Sequence, residues 1–161
     1  CVALQYALDY TDEVAGLLLM TVAMRPKERA PGSLEFRLSA AKDATVHEEW
    51  LDAMRHTMMF IEPELREKLI ERHRVVGPIS QYNDLVTIDK FDVRDRIGEL
   101  KTPLTLVRGV DDPGKPAEYE LEIHQAVPGS KYIKLDNAGH FPMAERPDDI
   151  NRAIEELMAK L

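Results

Sequence analysis

The spacing of apolar side chains changes character twice along the chain, and the changes divide it. Cys1 to Tyr10 is apolar on nearly every side, with Gln5 and Asp9 the strongly polar positions, a pattern that predicts a helix covered by both a sheet and its neighbours. Thr11-Asp12-Glu13 ends it. Val14 to Met20 then runs apolar without alternation, which predicts a strand covered on both faces in a parallel sheet. From Arg25 to Ser33 the sequence turns charged and is punctuated by Pro26, Pro31 and Gly32, and strand signals do not return before Thr102.

Helical spacing fills that interval. Val46, Trp50, Met54 and Met58 recur every fourth residue with Leu51 beside them, and Pro63 stands near the start of a second helix bearing Leu65, Leu69 and Ile70. A third helix is predicted from Ile79 to about Ile88, after Gly77-Pro78. Three short helices set between strands read as a lid over 25–91, inserted into a core made of 1–24 and 92–161. The core resumes with a short helix, Asp92 to Leu100, and an apolar run over Leu104, Thr105, Leu106 and Val107. A helix from Pro116 to Val127, with Leu121 and Ile123 inward, leads to a last strand at Tyr132 to Leu135. The closing helix has Pro147 at its start, Asp148 and Asp149 in its first turn, and one stripe of Ile150, Ala153, Ile154, Leu157 and Leu161. The order predicts an α/β fold: a partial parallel sheet with helices on both faces and an inserted helical cap.

Composition narrows the partners. With 21 basic and 29 acidic side chains the net charge is -8, a field that repels phosphate backbones and anionic lipid surfaces, so neither nucleic acid nor a membrane is expected. The single cysteine, Cys1, excludes an internal disulfide and a multi-cysteine metal site, and it fits a reducing, cytoplasmic setting. No apolar run approaches the roughly 18 residues of a membrane helix. Because Cys1 to Tyr10 starts without a capping residue, the true amino terminus is expected to lie upstream. Cys1 reads as a small buried helix residue rather than as a nucleophile.

The candidate chemistry lies at two strand ends. The run ending at Val107 passes into Arg108-Gly109-Val110-Asp111-Asp112-Pro113, and the run ending at Leu135 into Asp136-Asn137-Ala138-Gly139-His140-Phe141-Pro142. In an open parallel sheet the loops leaving the carboxyl ends of neighbouring strands converge on one crevice, so an aspartate and His140 are expected to meet there. An acid that orients a histidine is two thirds of a nucleophile-activating device, with His140 as general base and then general acid. Either Asp111 or Asp112 could be the acid, with spacing favouring Asp112. Trp50, Met54, Met58 and Phe141 are the candidate apolar contacts for a small-molecule substrate, since thioethers adapt to irregular ligands. His47, His56, His73 and His124 lie in charged helical surroundings without H-E-x-x-H spacing, and are expected to be solvated; no metal or cofactor is called.

With GVDDP after one strand and AGHFP after the next, the chain resembles the carboxy-terminal half of the α/β-hydrolase fold, over essentially its whole length. The resemblance implies strands six to eight, with Asp112 as the triad acid at the third position after Gly109 and His140 as the triad base. It implies that VALQYALDYTDEVAGLLLM is the helix behind the nucleophile elbow followed by the sixth strand, and that the cap is 25–91. The family's G-x-S-x-G elbow occurs nowhere in these residues. Nucleophile and oxyanion hole are therefore expected in an amino-terminal half of the same fold, the principal partner of this chain. The implied reaction is cleavage of an ester, lactone, amide or activated carbon–carbon bond through a covalent intermediate. An aspartate nucleophile would instead imply an epoxide hydrolase or dehalogenase, and a receptor that keeps the pocket without turnover is the non-catalytic alternative.

Overall fold

The computed structural model describes residues 1–26 and 31–161; residues 27–30 of the charged linker lie outside the described residues. These separate into two compact units, one of residues 1–25 and 92–161 and one of residues 26–91.

The first unit is built on three parallel strands, β1 (Leu17–Met20), β2 (Leu104–Gly109) and β3 (Lys131–Leu135), in the order β1-β2-β3. Leu17 to Met20 pair with Leu104 to Val107, and Thr105 to Gly109 pair with Lys131 to Leu135. The middle strand is buried at every position, as its unbroken apolar run requires. β1 is shorter than the run Val14 to Met20 predicts. Val14 closes a 3-10 turn over Thr11–Glu13, and pairing starts only where the Leu17 N–H donates to Pro103 O at 2.8 Å. Leu17 and Leu19 are buried while Leu18 and Met20 are half-buried, packed against Val107, Leu135, Ala138, Ile150 and Ala153.

The helices correct several sequence expectations. α1 (Val2–Asp9) buries Leu4, Ala7 and Leu8 but leaves Val2 and Tyr6 exposed, so it is one-sided rather than covered all round. Its last turn is held by Arg96, which donates to the Leu8 carbonyl at 3.1 Å and to Asp9 at 2.7 Å. Asp92 to Leu100 is not a helix but turns with a 3-10 segment at Ile97–Glu99. The Asp92 carboxylate accepts the Arg94 backbone N–H and its guanidinium, and that local bonding competes with helix formation. The crossover from β2 to β3 runs through α5 (Glu118–Ala126), where Tyr119, Glu120 and Ile123 face inward and Leu121 is exposed. A one-turn helix, α6 (Pro142–Glu145), precedes α7 (Pro147–Met158). Within α7 the buried stripe is Ile150, Ala153 and Leu157, while Ile154 and Leu161 lie off it and are exposed.

Among its described residues the second unit has the helices α2 (Ser33–Ala40), α3 (Ala44–Thr57) and α4 (Pro63–Asp89). Asp43 caps α3 by accepting the Thr45 N–H at 2.8 Å, and Pro63 opens α4. Within α4 the two helices predicted after Pro63 meet at a kink at Gly77, whose φ of 79° and ψ of 164° fall outside the helical region just before Pro78. Trp50, Leu51, Met58, Ile61 and Ile70 are buried large side chains of the second unit. Arg55 pairs with Glu67 and Arg74 with Glu48, tying α3 to α4.

Candidate active site

Backbone bonds join the loop after β2 to the loop after β3. The Val110 N–H donates to Leu135 O and the Asp111 N–H to Ala138 O, each at 3.0 Å. Gly109 makes this possible: a Cβ there would lie 2.2 Å from Gly139 O and 2.5 Å from Ala138 O. In the second loop Asn137 takes φ 53°, a left-handed turn that asparagine tolerates. The loops bring together two side chains 28 positions apart.

His140 Nδ1 stands 2.9 Å from Asp112 Oδ2. The Asp112 carboxylate is fully buried, whereas 28% of the His140 side chain is exposed. The other oxygen, Asp112 Oδ1, accepts the Gly114 N–H at 2.7 Å. Burial pushes this carboxyl up, but the hydrogen bonds from His140 and Gly114, together with the charges of His140 and Arg108, outweigh it and hold the group below its ordinary value. An ionised Asp112 selects the tautomer with the proton on Nδ1, which leaves Nε2 as the basic atom of the ring. Phe141 meets the imidazole edge-on, with ring centroids 5.1 Å apart.

Asp111 turns away from the imidazole. Its Oδ2 accepts the Asn137 N–H at 3.1 Å, so it serves the turn of the second loop. Asp112→Asn is therefore expected to abolish the downfield proton signal of His140 Nδ1–H, and Asp111→Asn to leave it in place. Proton NMR of both variants in the intact protein checks this, and the reverse pattern would exchange the two roles.

Sequence reasoning missed the support beneath the acid. Arg108 is buried in β2 and donates to Glu120 Oε2 and Pro116 O, both at 3.2 Å, and to Lys115 O at 2.9 Å. It thereby anchors the far end of the acid loop and α5 with one guanidinium. Burial pushes the Glu120 carboxyl up, against the pull of Arg108. The available signal was a lone arginine inside an apolar strand, which needs a buried acid as partner. Glu145, whose Oε2 accepts the Gly139 N–H at 2.6 Å, was missed too.

In the second unit Trp50 and Met58 are buried and Met54 is half-buried; Phe141, in the first unit, is half-buried. The expectation that the other histidines are solvated holds for the exposed His56 alone. His47 and His73 each lie 6.0 Å from the Trp50 ring, which has the Arg37 guanidinium 4.0 Å over its centre, and His124 Nδ1 bonds Ser130 Oγ at 2.8 Å. Among the described residues no group of three or more His, Cys, Asp or Glu side chains could hold a metal ion. Among the same residues no helix is long and apolar enough to cross a membrane.

No protein-family model matches the chain. A 2-hydroxy-6-oxo-6-phenylhexa-2,4-dienoate hydrolase of Comamonas testosteroni is 24% identical over 160 residues, which covers 93% of this chain and 56% of that protein. Among solved structures, the enol-lactonase of Burkholderia xenovorans LB400 superposes with a TM-score of 0.77 at 20% identity, over 98% of this chain and 61% of that one. A thermophilic esterase of Thermogutta terrifontis gives 0.76 at 25% identity, over 99% and 61%. The chain has the α/β-hydrolase fold. It spans about three fifths of the length of these relatives. Its three-stranded parallel sheet, β1-β2-β3, matches the sheet of these relatives. The contact of His140 with Asp112 lies beyond the carboxyl ends of β2 and β3.

Proposed function

We propose that this chain is the carboxy-terminal portion of a hydrolase that cleaves an ester, lactone, amide or activated carbon–carbon bond. His140 is its base and Asp112 the acid that orients it. The observation that carries this reading is the 2.9 Å contact between a partly exposed imidazole and a buried carboxylate. In the proposed reaction a nucleophile from the preceding part of the fold attacks the substrate carbon while His140 Nε2 takes its proton. Asp112 stabilises the resulting imidazolium without accepting the proton. The imidazolium then protonates the leaving group, and a water activated by His140 releases the acyl product and regenerates the nucleophile.

The chain's likeness to a dienoate hydrolase, an enol-lactonase and an esterase supports a carbonyl-centred substrate. Phe141 is the proposed apolar contact beside the imidazole. Trp50, Met54 and Met58 of the second unit are proposed as further apolar contacts for the substrate.

The test is turnover of p-nitrophenyl acetate, an enol lactone and a vinylogous 1,5-diketone by the protein that contains this chain with the rest of the fold. Hydrolysis of at least one is expected, with none by this chain alone, which lacks a G-x-S-x-G segment. Tight binding without turnover of any of the three would make the protein a receptor and overturn the proposal.

A further inference from the structure

The residues after His140 form a device that a catalytic dyad alone does not explain. Phe141-Pro142-Met143-Ala144-Glu145 coils at once into α6, with the Ala144 and Glu145 N–H groups donating to Phe141 O at 2.8 and 3.0 Å. That turn points the Glu145 side chain back toward the loop it has just left. Its Oε2 accepts the Gly139 N–H at 2.6 Å, and the Phe141 N–H also favours the ionised carboxylate. The Ala138–Gly139 peptide, one residue ahead of His140, is thus held by this side chain. The second oxygen, Oε1, is closed from solvent and makes no hydrogen bond.

Holding a carboxylate in such a place is costly. Burial pushes Glu145 up, and the nearby charge of Asp112 adds to that push, while the Gly139 and Phe141 N–H groups and His140 pull it down. A residue serving only to start α7 would do as well facing water. Nor is the site needed to satisfy α6, whose own hydrogen bonds are made by the backbone. What the carboxylate adds is a rigid frame for the backbone of one residue, His140.

We propose that Glu145 is a positioning residue for His140, holding the main chain at Gly139 so that the ring of His140 is already at Asp112 before substrate arrives. This rests on the reading of His140 as the base. Asp112 fixes the ring from the tip, through Nδ1; Glu145 fixes it from the root, through the main chain. With either hold gone, the ring spends part of its time away from the geometry that proton transfer needs, and a displacement on the order of 1 Å costs about 100-fold in rate.

The intact protein carrying Glu145→Ala, Glu145→Asp and Glu145→Gln tests the proposal. Ala and Asp, which remove or shorten the reach to Gly139, are expected to lower kcat by roughly 10- to 100-fold with KM within about twofold of the parent. Gln keeps an acceptor oxygen at the same distance and is expected to restore kcat to within about fivefold of the parent. Proton NMR of His140 Nδ1–H gives a second readout that needs no substrate: the downfield signal broadens or vanishes in the Ala and Asp variants and survives in Gln. Should the protein turn over nothing while the ring signal still follows this order, the hydrolase reading fails and the clamp stands. Ala or Asp variants with normal kcat per folded molecule and an intact ring signal, even if they melt earlier, would reduce Glu145 to a structural residue and overturn the proposal.

Discussion

Replacing His140 by alanine in the intact protein is expected to lower turnover by about 10⁴-fold or more while the protein still folds. The two effects separate because the ring is partly exposed and its recorded hydrogen bond is the one to Asp112. Its removal takes away the proposed base, for which neither neighbouring carboxylate substitutes: Glu145 is engaged by the Gly139 N–H and Asp112 is fully buried. The Asp112 carboxylate loses one of two hydrogen-bond partners, a cost on the order of 1–3 kcal/mol, softened by the Gly114 N–H and the nearby Arg108 charge. Steady-state kinetics on a chromogenic ester, with circular dichroism of the same sample, measure both. Turnover within tenfold of the parent would sink the assignment of His140 as base.

The elements that position this site were largely legible in the sequence because each is decided by short-range pattern. β2 and β3 follow from apolar runs stopped by Gly109 and Asp136, and the convergence of their loops follows from the parallel order alone. The misreadings arose where tertiary demands overrode local pattern. Hydropathy puts Leu121 inside α5, yet Glu120 takes that place because a buried Arg108 needs it. Asp92 draws Arg94 into a local turn that consumes a predicted helix. α2 is short and mixed in composition, and its start at a left-handed Gly32 gives no periodic signal.

Within the site, spacing leaned toward Asp112 but could not settle it, since adjacent residues of a turn send their side chains different ways. What separates them is the company each keeps: Asn137 N–H for Asp111, and His140 with Gly114 N–H for Asp112. The carboxylate of Glu145 was invisible for a related reason. A glutamate in a polar segment looks like surface until α6 folds it back on the loop.

The second large effect is expected at Gly109, where alanine should destabilise the first unit by about 3 kcal/mol or more and loosen the site with it. Gly109 closes β2 opposite Leu135 and has no left-handed φ, so the requirement is for space rather than for backbone freedom. An added Cβ would stand 2.2 Å from Gly139 O, 2.5 Å from Ala138 O and 2.6 Å from Ala138 C. All three are main-chain atoms, so no rotamer change relieves the clash. The backbone that would have to retreat is pinned by the Asp111 N–H on Ala138 O and by Glu145 on the Gly139 N–H. Any retreat therefore carries His140 away from Asp112, and a roughly 100-fold fall in kcat should accompany the loss of stability. Gly98→Ala is the matched control: nothing lies within 4 Å of its added Cβ, and it should fall within about 0.5 kcal/mol of the parent. Urea titration of both variants compares them directly, and equal midpoints would mean that the two loops are not held together as tightly as Gly109 implies.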